Sequence, residues 1–430
     1  MFKFPLLLLL AFAASAQEPL KLTLRDAVAL ALKQNPQVIL ANLAVAQSEQ
    51  DRALARSALL PQVNGSVSET VHRVNLEAAI GLQFPDFPQH VGPYETFQGG
   101  ASFRAPVFDL TLWRRYRSAR IGIDTARARE MTTREESALL VVSQYLGSQR
   151  AAADVQAGQS RVDLAQALYV LASDLQHNGV GTGIDTLRAN VQLQNEKQRL
   201  IVARTQLETS LLGLARLLSV DRRVELADQV SFFETPKAQG EETVEQAFAA
   251  RPEMREIGTQ QERAAIEQRS AADQRLPRFT INGAWMQQGL TPNSIIPVYQ
   301  YEGSLEFPIF TGGRIQAQRA QAEIAMRQLK QQEQETRNRI SLEVKTAVAQ
   351  LESARNEVQV ATLGIQLARQ EVEQARDRFQ AGVANNIEVV SAQNELSRAE
   401  DNQIAALYRY NQARAGLAHA SGQMEALYAK

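Results

Sequence analysis

Apolar and alanine positions recur every seven residues through the second half of the chain. Val344, Leu351, Val358, Ile365, Val372 and Phe379 form one line, and Ala347, Ala354, Ala361, Ala368 and Ala375 a second. Beyond a glycine-containing break, Val389, Leu396, Gln403, Tyr410 and Leu417 resume the period, with alanine at 392, 399, 406, 413 and 420. A sustained 3.5-residue period predicts left-handed supercoiling, and a seam half made of alanine predicts closely spaced helices. A shift of 203 residues finds the same seam earlier, with Val141, Val155 and Val162 before a break and Leu193, Leu200, Leu207 and Leu214 after it. No proline occurs from Asp109 to His177 or from Gly312 to Gln380, so each stretch predicts ~100 Å of helix at 1.5 Å per residue. The short breaks make the joined helices antiparallel.

A period of two replaces the period of seven in four other segments. In "FTINGAW" the residues Phe279, Ile281, Gly283 and Trp285 face one way, and in "YQYEGSLEF" Tyr299, Tyr301, Gly303, Leu305 and Phe307 do the same. The first half repeats this with Val63, Val67 and Val71, then Phe97, Gly99, Ala101 and Phe103. These segments predict strands at about 62–74, 96–106, 278–288 and 299–308, each with one apolar and one polar face. Their length and alternation suit a membrane barrel, with Trp285, Tyr299 and Tyr301 at the lipid boundary. Alternation alone fits a soluble sandwich equally well.

The chain is written twice. "NPQVILANLAVAQSEQDRALARSALLPQVNGSVS" from Asn35 aligns with "RPEMREIGTQQERAAIEQRSAADQRLPRFTINGA" from Arg251, and "SFRAPVF" from Ser102 with "SLEFPIF" from Ser304. The expected first repeat spans 17–218, with a long helix at 109–177 and a turn at 178–183. The second spans 243–421, with a helix at 312–380 and a turn at 381–386. Residues 219–242 form a linking belt, and 422–430 a tail. Each copy opens on a short helix, with Thr23 and Asp26, then Thr243 and Gln246, at capping-box spacing.

Composition narrows the class. Aromatic residues make up 6% of the chain and the formal net charge is -1, which fits long helices with narrow seams and gives no basic field for nucleic acid. "MFKFPLLLLLAFAASAQ" combines Lys3, an apolar stretch and an Ala-Ser-Ala site, so residues 1–16 read as a signal peptide cut before Gln17. The chain has no cysteine, which excludes disulfides and a lipid-bearing cysteine. Its histidines lack metal-ligand spacing, "TGGR" at 311 lacks the lysine of a phosphate loop, and no nucleophile motif occurs. The expectation is therefore no catalysis, no cofactor and no metal.

Geometry then predicts assembly. Four strands cannot close a barrel, and an unpaired edge is not viable in lipid. Two copies would supply eight strands, too narrow for a conduit; three supply 12. The expected fold is mostly α with membrane β. Long antiparallel coiled-coil helices of a tandem repeat form an α-barrel tunnel across the periplasm, continuous with a 12-stranded membrane β-barrel built by a trimer.

"LTLRDAVALALKQNP", "FPIFTGG" and "FQAGVANNIEVVSAQ", in that order and on a tandem repeat, resemble the TolC-type outer-membrane factors of tripartite efflux pumps and type I secretion systems. The resemblance covers the whole chain after the leader. It implies a homotrimer with a 12-stranded outer-membrane β-barrel and a periplasmic α-barrel that docks on a periplasmic adaptor, or membrane fusion protein, reaching an inner-membrane pump. A coiled-coil periplasmic adaptor or structural protein is the alternative for the helices alone. The chain departs from the pattern at "APVFDLTLWRR", where the first copy lacks the Gly312–Gly313 pair of the second.

The resemblance also gives the turns a role. Gly179, Val180, Gly181, Thr182 and Gly183, with Gly382, Val383, Ala384, Asn385 and Asn386, become the expected adaptor-docking tips, and Asp185, Glu388 and Phe379 the expected periplasmic mouth. Family members with a closed mouth hold it with an Arg and a Tyr, whereas Ala384 and Phe379 stand at the matching positions here. The expected lipid-facing residues are Val67, Phe97, Phe103, Phe279, Ile281, Trp285, Tyr299 and Tyr301.

Overall fold

The computed structural model describes residues 19–81, 88–228 and 240–429. The expected leader lies outside them, as do residues 229–239 of the belt. In chain order the elements are β1 (Leu20–Leu22), α1 (Leu24–Gln34), α2 (Pro36–Ser57), β2 (Gln62–Asn75), α3 (Leu76–Ile80), β3 (His90–Phe108), α4 (Leu110–His177) and α5 (Gly183–Leu218). The rest are β4 (Val224–Leu226), α6 (Gly240–Ala250), α7 (Pro252–Asp273), β5 (Arg278–Gly289), β6 (Ile296–Glu306), α8 (Arg314–Gln380), α9 (Asn386–Ala420) and α10 (Met424–Tyr428).

Two compact units cut across the sequence repeat. One takes the residues up to Ala41, Glu130–Pro252 and Arg337 onward; the other takes Asn42–Arg129 and Glu253–Thr336. Each draws on both copies because α4 and α8, of 68 and 67 residues, run through both units.

The first unit is held by its seams. Val344, Leu351, Val358, Ile365, Val372 and Phe379 are all buried, so the heptad line is the packed face of α8. Leu351, Ala354 and Val358 meet Ala406 and Tyr410 of α9, while Val162 and Ala165 of α4 meet Leu193 and Leu200 of α5. A larger cluster joins Val28 and Ala31 of α1 to Val141, Val142 and Tyr145 of α4 and to Leu214 and Leu218 of α5. Each fully buried aliphatic side chain there contributes roughly 1.5–3 kcal/mol. Tyr145 satisfies its hydroxyl by donating to Leu22 O at 2.9 Å and to Asp228 at 3.2 Å, and burial pushes its pKa up.

The caps of this unit are specific. Thr23 Oγ1 accepts from Asp26 N, and the Asp26 carboxylate accepts from Thr23 N, both at 3.2 Å. The Thr23 hydroxyl also donates to the Asp26 carboxylate at 2.7 Å, and this bond, with that from Thr23 N, holds the carboxyl below its ordinary pKa. The second copy differs from expectation. Its helix begins at Gly240, so Thr243 lies inside the helix and not at its N-cap.

In the second unit β2, β3, β5 and β6 form one antiparallel sheet in that order. Strands β2 and β3 extend past the expected ends, to Asn75 and back to His90. Beyond the pairing of Phe97 with Gly289 they pair only with each other, as a two-stranded ribbon. β6 stops at Glu306, before Phe307 and Pro308; proline has no N–H to continue a ladder. Helix α7 is fixed to α4 by polar contacts, including Arg114–Asp273 at 2.8 Å, Thr125–Thr259 at 3.0 Å and Arg129–Glu256 at 2.6 Å.

Candidate functional site: two turns and an amphipathic sheet

Both turns are built alike. At the end of α4, Val180 N donates to Leu175 O at 2.9 Å and Gly179 N to Gln176 O at 3.1 Å; at the end of α8, Val383 N donates to Arg378 O at 3.0 Å and Gly382 N to Phe379 O at 3.0 Å. This pair of bonds is the Schellman motif, which needs a left-handed residue just past the helix. Gly179 and Gly382 supply it, with φ of 76° and 71°. No atom would crowd a Cβ at either glycine, so the backbone angle alone demands glycine. Thr182 and Asn385 then sit at the N-caps of α5 and α9.

The turns close over a shared apolar core. Leu168, Ala172 and Ala189 of the first hairpin pack with Val372, Ala375, Phe379, Val389 and Ala392 of the second. Phe379 is only 8% exposed. Its ring fills the core between the hairpins, because it continues the heptad line of α8. Asn386 is also buried, and its side chain donates to Asp185 O at 2.9 Å, tying one turn to the other. Outside this core Val180 and Val383, equivalent at the 203-residue offset, are 74% and 71% exposed. Ile184 and Ile387 are exposed too.

The two acids have partners within their own hairpins. Asp185 accepts from the Thr182 hydroxyl and lies 3.9 Å from Arg188, while Glu388 pairs with Arg378 at 2.9 Å. Sequence reasoning missed Arg378 and Asn386 in these roles, and it missed Arg161. Arg161 of α4 meets Glu400 and Asp401 of α9 at 2.9 and 2.6 Å and donates to Ser397 O at 3.1 Å. Nearby, burial pushes the Asp154 carboxyl up, and Arg150 at 3.9 Å offsets this only in part.

The sheet brings all eight expected lipid-facing residues to one face, because directly opposed residues of antiparallel strands share a face. One row is Val63–Phe103–Gly283–Tyr301 and the next is Gly65–Ala101–Trp285–Tyr299. Phe279 and Ile281 lie below, opposite Leu305 and Gly303. Phe97 and Val67 lie above, where Gln287 is the first polar residue of β5 on that face. The Phe103 ring occupies the space over Gly283, where a Cβ would come within 2.2 Å of it. The other face reads Asn64–Ser102–Ala284–Gln300 and Gln62–Arg104–Asn282–Glu302. Among the described residues, β2 and β6 each have one edge without a partner strand.

A model of the outer membrane efflux protein family matches residues 27–220 and 243–423. The chain belongs to the outer membrane efflux protein family. It is 24% identical over 426 residues to the alkaline protease secretion protein AprF of Pseudomonas aeruginosa, covering 95% of this chain and 86% of that protein. Its fold is that of the Campylobacter jejuni CmeC outer membrane channel, with a TM-score of 0.80, 17% identity and coverage of 93% of this chain and 85% of that one. It is also that of the outer membrane protein VceC of Vibrio cholerae, with a TM-score of 0.77, 18% identity and coverage of 93% and 96%. Membership of the outer membrane efflux protein family places the chain in the outer membrane as an export channel and decides against the adaptor alternative. The match leaves out residues 221–242, which include β4 and the part of the belt outside the described residues.

Proposed function

We propose that three copies of this chain close a 12-stranded barrel in the outer membrane, with the apolar face toward lipid and the polar face toward a lumen. The unpaired edges of the four-stranded sheet carry this reading: hydrocarbon offers no partner for an open ladder, so a second copy must supply one. Along β5 the apolar face runs from Phe279 to Trp285, about 20 Å before tilt, and Val67 of β2 and Phe97 of β3 carry it further in the direction of the ~25 Å band of membrane barrels. Trp285 and Tyr299 occupy the last apolar row before Gln287, where an aromatic girdle belongs.

The helices continue the conduit into the periplasm. Those of 68 and 67 residues are long enough for such a tunnel, and exposed apolar residues on α5 and α8, such as Leu187, Val191, Val360 and Leu363, suit the flanks where copies meet. The turns at 178–183 and 381–386 dock on a periplasmic adaptor connected to an inner-membrane pump, and their exposed valines provide the apolar contact. The relatives' names include both an outer membrane channel and a protease secretion protein, so efflux pump and type I secretion system both remain as settings. Transport is passive, and no catalytic step by this chain is part of the proposal.

The test is electrical. Purified full-length protein added to a planar lipid bilayer is expected to give discrete conductance steps. Repeated addition without any conductance would reject the channel.

A further inference from the structure

We infer that Arg104 and Glu302 form a charge-balanced filter inside the barrel, separate from the acids at the turns; this rests on the trimeric channel proposed above. The two residues stand in one register row of the polar face, Gln62–Arg104–Asn282–Glu302. Both are exposed, and neither forms an ion pair among the described residues. Above that row the polar face holds no Asp, Glu, Lys or Arg through Thr70, Thr96, Gln288 and Ile296. Below it lies a neutral row with Thr280 and Ser304, then Arg278 opposite Glu306 at the base of the sheet. From Asn282 to Arg278 is four residues of β5, about 13 Å along the strand and beyond a Debye length of about 8 Å at physiological salt.

Topology makes the row into a belt. Arg104 lies on β3, second in the sheet, and Glu302 on β6, fourth. With three copies around the wall, arginine and glutamate therefore alternate at every second strand. Two strand spacings are about 9.6 Å, and a tilt near 40° sets the arginine and glutamate rings about 6 Å apart in depth. An ion at that level meets both rings within one screening length, so three positive and three negative charges cancel. The filter thus lets anions and cations pass alike. Each member alone determines the sign of selection: Arg104 favours carboxylates, phosphates and chloride, and Glu302 favours ammonium groups and metal cations.

Reversal potentials in a tenfold KCl gradient test the filter, with native turns and with Asp185→Ala/Glu388→Ala so that the turns do not mask the barrel. Glu302→Gln is expected to move permeability toward chloride and Arg104→Gln toward potassium, each by about threefold, with the double variant close to its parent. The chain has no cysteine, so Arg104→Cys can be modified after assembly, independently of folding. Cationic and anionic methanethiosulfonates must then shift its reversal potential in opposite directions. Conductance whose selectivity ignores both substitutions and both reagents, or moves the same way for all, would overturn the filter alone. Absence of any conductance from the unsubstituted protein would overturn the channel and the filter with it.

Discussion

The two copies of the repeat reach the same architecture by different local chemistry. Where strand gives way to long helix, the first copy uses Asp109, whose Oδ1 accepts from Thr111 N at 2.8 Å and Leu112 N at 3.2 Å. The second uses Gly312 and Gly313 in left-handed conformations, at φ 59° and 83°. At the turns both copies require glycine, but the first cap pairs the Thr182 hydroxyl with the Asp185 carboxylate while Asn385 accepts from Glu388 N at 3.3 Å. The turn glycines, their backbone hydrogen bonds and the buried seams repeat; the side-chain caps and the strand-to-helix junction do not. The repeated parts are those that set helix length and hairpin reversal, which a symmetric tube needs equally from both halves.

The turns offer the largest break in that symmetry. Gly179→Val and Gly382→Val each put a β-branched residue at positive φ, at a local cost of at least about 1–2 kcal/mol. Either is expected to abolish export by cells while assembled protein remains in the outer membrane, as followed by drug accumulation or secretion assays and membrane fractionation. Full export by both variants would remove the docking role. A difference between them would show which hairpin leads.

The helix junction should respond in one copy only. Asp109→Ala removes a cap, a loss of about 1 kcal/mol, and is expected to speed hydrogen exchange of the Thr111 and Leu112 amides about fivefold. Thr311→Ala, at the matching position, is expected to leave the start of α8 unchanged. Faster exchange in neither variant, or in both, would contradict the assigned caps.

A smaller asymmetry sits between the turns. Asn386 bonds across to Asp185 O, whereas its counterpart, Gly183, has no side chain to return the contact. Asn386→Ala is expected to loosen the pair by about 0.5–1.5 kcal/mol, seen as faster exchange around Asp185 and Glu388. Protection equal to the parent's would show that the bond carries no weight.

The smallest expected effect is on ion flow. Asp185→Ala with Glu388→Ala should raise single-channel conductance modestly and weaken cation preference, while Arg378→Ala, which frees Glu388 from its 2.9 Å partner, should strengthen that preference. Unchanged conductance and selectivity in both would reject a mouth lined by these acids.

Much of this was legible because period and burial coincide. The line from Val344 to Phe379 is buried throughout, and the alternation from Phe279 to Trp285 predicts the face on which those residues lie. The two turn glycines show in sequence because only left-handed backbone requires them. Other features left no periodic trace. The ribbon His90–Thr96 mixes Val91, Pro93 and Tyr94 with polar residues and has no period of two, so alternation could not find where β3 begins. Phe379 continues the heptad line, but that its ring joins the two hairpins shows only in the packing. Glu196, buried at 3% exposure and accepting from Gln192 and Arg199, and Arg161, which crosses to α9, look like surface charges on a helix until neighbouring helices are placed.

The barrel closes only if β2 of one copy meets β6 of the next. Single cysteines at Val67 on β2 and Tyr301 on β6, introduced together into this cysteine-free chain, place one thiol on each edge strand. Treated in the membrane with a short bifunctional maleimide, the protein should yield a ladder of covalent species ending at three chains. A ladder that stops at two, runs past three, or never forms in fully labelled protein would contradict the closed trimer.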